Sequence, residues 1–103
     1  MVISERYWPD GSGGELATHL VVGLLRDVFD VTVVTGSRDV ARHENVEYVY
    51  EPLLSRQEKL VLWLNIERLV NKDRFRMLLK EADVVYVPRF SFPLIPHARS
   101  MGK

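Results

Sequence analysis

No cysteine occurs anywhere in the 103 residues. A disulfide framework, a thiolate metal site and a cysteine nucleophile are therefore excluded, and the composition suits a reducing compartment. Histidine is scarce. The three that exist, His19, His43 and His97, are far apart in the chain and match no zinc-ligand spacing, so no metal site is expected. An excess of one charge is also missing, since 14 Lys and Arg balance 14 Asp and Glu. No overall field draws such a chain to nucleic acid or to an acidic substrate. No run approaches the roughly 18 apolar residues of a membrane span, and the start lacks the basic stretch and apolar core of a secretory leader. A cytoplasmic protein, at most peripheral to a membrane, is the expectation. What remains is an ordinary globular composition, 47% hydrophobic and 27% charged, enough for a single domain over residues 1–103.

The most informative stretch runs from Ser4 to Leu16, where a short apolar run meets a helix through Gly11-Ser12-Gly13-Gly14. Three glycines in four positions let a backbone approach a ligand closely. The helix that follows offers unpaired N–H groups and the positive end of its dipole, a setting for phosphate or diphosphate. The same glycines also serve a plain tight turn that lets helix pack on sheet.

Around this turn the pattern alternates strand and helix. Residues 1–4 form a short first strand, 5–12 a loop, and 13–27 a helix with Leu16, Leu20, Val21, Leu24, Leu25 and Val28 as its buried stripe. Thr18, His19 and Arg26 fall on its outer side. The β-branched run Val31-Thr32-Val33-Val34-Thr35 reads as a strand covered on both faces, and residues 46–50 as a third strand ended by Pro52. The link over 36–45 is poor in helical character. Residues 55–82 read as helical with a break at 70–73, where Asn71 stops one helix and Asp73 caps the next. Residues 55–80 carry seven basic residues against three acidic ones, together with an apolar set around Trp63 too broad for one narrow stripe. Val84-Val85-Tyr86-Val87-Pro88 is a fourth strand, 89–93 a loop, and 94–101 a short helix with Gly102 at its C-cap. The expected fold is α/β: an open, mostly parallel Rossmann-like sheet of about four strands, order 3-2-1-4, with flanking helices.

Ile3-Ser4-Glu5-Arg6-Tyr7-Trp8-Pro9, then Gly11-Ser12-Gly13-Gly14, a helix, and Phe29-Asp30-Val31-Thr32-Val33-Val34-Thr35-Gly36 form a series. It resembles the amino-terminal domain of family 4 glycosyltransferases of the GT-B type. Ala82-Asp83-Val84-Val85-Tyr86-Val87 resembles that family's fourth strand. The resemblance implies half of a two-domain architecture, with this half holding the acceptor and a partner domain holding most of a nucleoside diphosphate sugar. It implies no cofactor beyond that co-substrate and no metal required by the fold. Gly13 and Gly14 would then approach the donor diphosphate, and Arg89 with the loop it opens would line the acceptor side. The candidate substrate or diphosphate contacts are Gly11, Ser12, Gly13, Gly14, Glu15 and Arg89, and the candidate acceptor-side residues Glu5, Arg6, Arg38 and Phe90. The family's donor domain, its acidic motif, the fifth strand and the histidine after it have no counterpart here. His97 does not replace that histidine, because it precedes the missing strand. Catalysis by this chain alone is not expected.

Competing motifs fail in specific ways. A Walker A loop needs Lys and Ser or Thr after its last glycine, whereas Glu15-Leu16 follow Gly14. The dinucleotide fingerprint finds Leu16 at its last glycine and no acid at the end of strand two, although Arg38 suits a 2′-phosphate, leaving an NADP-dependent reductase or epimerase as an alternative. Arg89, following directly on a strand, suits forked pairing with phosphate or carboxylate. A non-catalytic binding or assembly module is the reading from a different class. Its contact surface would be the Trp63 helix, meeting a partner or membrane, or the exposed edge of strand four in a homodimer.

Overall fold

The structure is a computed structural model that describes every residue except Ser12, Arg56, Gln57, Arg89, Phe90 and Phe92, and the side chain of Lys59. Three parallel strands form an open sheet in the order β1 (Val2–Ser4), β2 (Val31–Thr35), β3 (Val46–Tyr50). Val2 pairs with Val33, and Val33 in turn with Tyr48. The central strand is almost wholly buried, which is why it is a run of β-branched residues rather than an alternating one.

The expected fourth strand is reduced to one bridge. Val2 faces Tyr86 in parallel, with Ile3 N donating to Tyr86 O at 3.0 Å and Tyr86 N to Met1 O at 2.9 Å. A three-residue β1 offers few free backbone groups on that side, and Pro88 has no N–H with which to extend the ladder.

Two cores follow from the alternation of side chains along the strands. Ile3 and Val34 point to the larger one, shared with Leu54 and with α2 (Lys59–Leu69), α3 (Asp73–Glu81) and α4 (Leu94–Ser100). Leu62, Ile66 and Leu69 give α2 its inner stripe, and Phe75 and Leu79 do the same for α3. Trp63 is partly buried against this core, so the open apolar positions of α2 are Leu60 and Leu64 rather than the Trp63 face. Asp73 lies inside the first turn of α3 and not at its cap. Lys72 takes the cap position, and its Nζ bonds Glu51 Oε1 at 2.9 Å. Helix α4 ends as expected at Gly102, with Gly102 N donating to Arg99 O and Lys103 N to Ala98 O, the paired bonds of a Schellman stop.

Val2, Val31 and Val33 point to the smaller core, with Tyr7 and Val22 of α1 (Gly13–Leu25). Here the sequence expectation is corrected. Helix α1 buries Glu15, Thr18 and Val22, while Leu20, Leu24 and Val28 stand 59%, 72% and 74% exposed. The hydrogen bond of His19 to Tyr7 and the packing of the Glu15 side chain against Gly11 fix the rotation of the helix about its axis, and non-directional apolar burial yields to them. Residues 36–45 cross from β2 to β3 without any helix, as their composition implied. They lie close against α1 instead, where a Cβ at Gly23 would come within 2.9 Å of the His43 ring.

Gly36 marks the other close approach: a Cβ there would sit 2.4 Å from the Leu54 carbonyl. Gly36→Ala is expected to lower stability by about 1–3 kcal/mol, the usual cost of overpacking. The check is a denaturation midpoint that falls while the slope stays constant.

Candidate functional site

Open parallel sheets bind ligands beyond the carboxyl ends of their strands. At that end of β1 and β2 the chain gathers Ser4, Glu5, Tyr7, Asp10, Thr35 and Ser37. Ser4 Oγ donates to Arg6 O at 2.5 Å, turning the chain sharply out of the strand. Ser37 joins the two loops: it accepts from Tyr7 N at 3.0 Å, and its Oγ donates to Asp10 Oδ2 at 2.8 Å. Its own N–H donates to Thr35 Oγ1 at 3.1 Å. The second seam is backbone, with Ala41 N donating to Trp8 O at 2.8 Å.

Glu5 is buried, and its Oε2 accepts from the buried Ser91 Oγ at 2.9 Å, tying the β1 loop to the segment before α4. Arg6 bonds Asp10 at 3.3 Å, and its Nε is buried without a hydrogen-bond partner among the described residues. Gly11 adopts φ +104°, and a Cβ there would overlap the Glu15 side chain at 2.4 Å. The buried Glu15 carboxyl group therefore lies folded back over Gly11, where the positive end of the helix dipole favours a carboxylate. Gly13 and Gly14 are exposed, and among the described residues beyond its own helix turn a Cβ at Gly13 would meet nothing within 4 Å.

The structure brings Glu5, Arg6, Gly11, Gly13, Gly14 and Glu15 to the exit of β1. The Glu15 side chain lies against Gly11 and braces the turn, and its carboxylate would meet an incoming diphosphate as a like charge. Ser12-Gly13-Gly14-Glu15 has the spacing of a capping box, which was the sequence signal for that part. Arg38 is turned to β3, its guanidinium carbon 5.2 Å from the centre of the Tyr50 ring. Ser12, Arg89 and Phe90 lie outside the described residues.

A second cluster was not legible in the chain order. His19 and His43, 24 positions apart, stack with ring centres 4.0 Å apart. Tyr7 Oη lies 2.8 Å from His19 Nδ1 and 3.3 Å from Tyr48 Oη, while His43 N donates to Tyr48 Oη at 3.0 Å. His43 Nε2 donates to the His19 carbonyl at 2.7 Å. Burial, and then the Tyr48 hydroxyl, push the Tyr7 phenol far above its ordinary range. Thr18, expected on the outer side of α1, is buried with its Oγ1 donating to Gly14 O. Among the described residues no group of three His, Asp or Glu side chains is placed to hold a metal, and no helix is long and apolar enough to cross a membrane.

Ser4, Glu5, Thr35 and Ser37 are buried and bonded within the protein, so the groups that this lip turns outward are the Asp10 carboxylate and the exposed glycines Gly11, Gly13 and Gly14. Ser37 is committed to Tyr7 and Asp10, so it is no nucleophile with a base behind it.

Burial, and then the adjacent His43 ring, hold the His19 imidazole below its ordinary value of 6.5. The unfolded chain therefore takes up this proton first. The contribution to stability is complete above pH 6.5 and declines as the pH falls through that value toward the folded-state one. His19→Gln is expected to flatten that decline in pH-dependent melting curves. Tyr7→Phe, which removes the hydroxyl shared by His19 and Tyr48, is expected to cost about 1–3 kcal/mol at neutral pH, measured by chemical denaturation.

No family model, no curated protein and no solved structure matches this chain.

Proposed function

We propose that this chain is the acceptor-side half of a family 4, GT-B type glycosyltransferase. In this reading a sugar passes from a nucleoside diphosphate to an acceptor hydroxyl, in company with a donor-binding domain. Two features support it: the resemblance of the stretches around Gly11 and Val31, and a parallel three-stranded sheet with a glycine turn at the exit of its first strand. The observation that carries it is the pair of exposed glycines, Gly13 and Gly14, near the exposed Asp10. Glycine amides suit a diphosphate, and the Asp10 carboxylate suits a hydroxyl of an acceptor. The finer architecture, a four-stranded sheet of order 3-2-1-4 forming one half of a GT-B cleft, belongs to the same proposal. So do a cytoplasmic setting and contact of the basic α2–α3 region with a membrane surface.

One observation favours the second reading, a non-catalytic binding or assembly module. Glu15 already brings a carboxylate to the start of α1, against Gly11. An incoming diphosphate has to share that space with a like charge.

Titration of the ¹⁵N-labelled chain with UDP-glucose, GDP-mannose and NADP separates the readings. On the glycosyltransferase reading a nucleoside diphosphate sugar shifts the Gly13 and Gly14 amides, and Gly13→Ala weakens binding about tenfold or more, about 1.4 kcal/mol, without lowering the melting temperature. The stability control is clean because, among the described residues beyond its own helix turn, nothing lies within 4 Å of the new methyl group. Binding of NADP alone would favour a reductase or epimerase, and binding of none of the three the assembly module.

A further inference from the structure

The helix-free crossover, residues 36–45, meets α1 at a pair of stacked rings. The His43 ring lies over Gly23, where a Cβ would come within 2.9 Å of it, so the glycine of the helix is the seat of the ring. There it stacks on His19 with the planes 13° from parallel, and its Nε2 donates to the His19 carbonyl. With neutral rings the bonds around the stack run in one direction. His43 N donates to Tyr48 Oη, Tyr48 Oη to Tyr7 Oη, and Tyr7 Oη to His19 Nδ1. A proton on His19 Nδ1 reverses the last two bonds. The Tyr48 oxygen then faces two donors, Tyr7 Oη and His43 N, and its own hydrogen has no acceptor in the cluster. Two imidazolium rings face to face at 4.0 Å also repel each other.

The groups around the stack give such a charge no relief. The β1 loop and β3 present the phenols of Tyr7 and Tyr48. From the crossover, the Arg42 guanidinium carbon lies 5.2 Å from the centre of the Tyr48 ring, and from α1 Arg26 donates to the Glu44 carbonyl at 3.3 Å. Of the carboxylates nearby, Glu15 is folded against Gly11, Asp10 is taken by Arg6 and Ser37, Glu44 is exposed, and Glu47 alternates to the face of β3 opposite Tyr48. Among the described residues no carboxylate forms an ion pair with either stacked ring.

We propose that His19 and His43 form a proton-operated latch: with both rings neutral they hold the crossover against α1, and on acidification the rings part and the crossover lifts from the helix while the larger core stays closed. The larger core shares no residue with the cluster, which is why the opening is local. The lowered proton affinity of His19 has the same sign, since a closed form that disfavours the proton is opened by taking it up. The crossover also carries Ser37 and Ala41, which hold the β1 loop, so the latch lies one step from the glycine turn. The device is independent of the glycosyltransferase reading.

Nuclear magnetic resonance of the full chain between about pH 8 and about pH 5 tests it. At the upper end an Overhauser contact between the His19 and His43 rings is expected. Below 6.5 that contact is lost and the amides of residues 41–44 shift and become mobile, while those of α2 and α3 keep their positions. His43→Gln keeps a donor for the His19 carbonyl, and His19→Gln keeps an acceptor for the Tyr7 hydroxyl. Each is expected to abolish the acid response of residues 41–44, and in His43→Gln the His19 ring titrates closer to 6.5. A ring-to-ring contact that persists at about pH 5 would overturn the proposal. So would an acid response of 41–44 that both variants retain, or one that α2 and α3 share at the same pH, which is general unfolding.

Discussion

Tyr7 is the residue on which this end of the molecule depends. Its ring is fully buried in the smaller core, its N–H is fixed by Ser37, and its hydroxyl reaches His19 on α1 and Tyr48 on β3. One side chain thus ties the β1 loop, the first helix, the helix-free crossover and the third strand. A buried phenol needs partners for its hydroxyl, and the stacked histidines supply one side of that requirement. The crossover lacks a helix to pack on β3, so the cluster of Tyr7, His19, His43 and Tyr48 fills the space beside α1 with rings and directed bonds.

The same cluster explains why α1 is rotated away from its own apolar stripe. Hydrogen bonds prescribe a direction, whereas burial of leucine prescribes only an environment. With Glu15 folded over Gly11 and His19 bound to Tyr7, the inner face of the helix is fixed, and Leu20, Leu24 and Val28 are left outside. The glycine turn and the open apolar face are therefore two consequences of one arrangement. The turn keeps its amides near the surface at one end of α1, and the far end meets a cavity beneath Leu25 and Phe29.

Much of the fold was legible along the chain. The β-branched run at 31–35, the proline and glycine punctuation, and the helical character of 55–82 with its break at 70–73 each follow from rules that act over a few neighbouring residues. The candidate site was legible in part. Its glycines and Glu5 stood out, and Tyr7 was legible as an aromatic to buttress the loop, while the part played by Glu15 lay in a capping-box spacing and the bonds of Tyr7 to Ser37 and His19 were not legible.

The sequence by itself determined most of the segments that are strands and helices, and that the strands are of a kind to run parallel under helical cover. Only the tertiary structure decided which side of α1 faces the sheet, that His19 and His43 meet, and that residues 84–87 contribute a bridge instead of a full strand. Periodicity is a local property of the backbone and is written in the order of residues. The rotation of a helix and the meeting of distant side chains are set by competition among contacts that exist only once the chain has closed on itself.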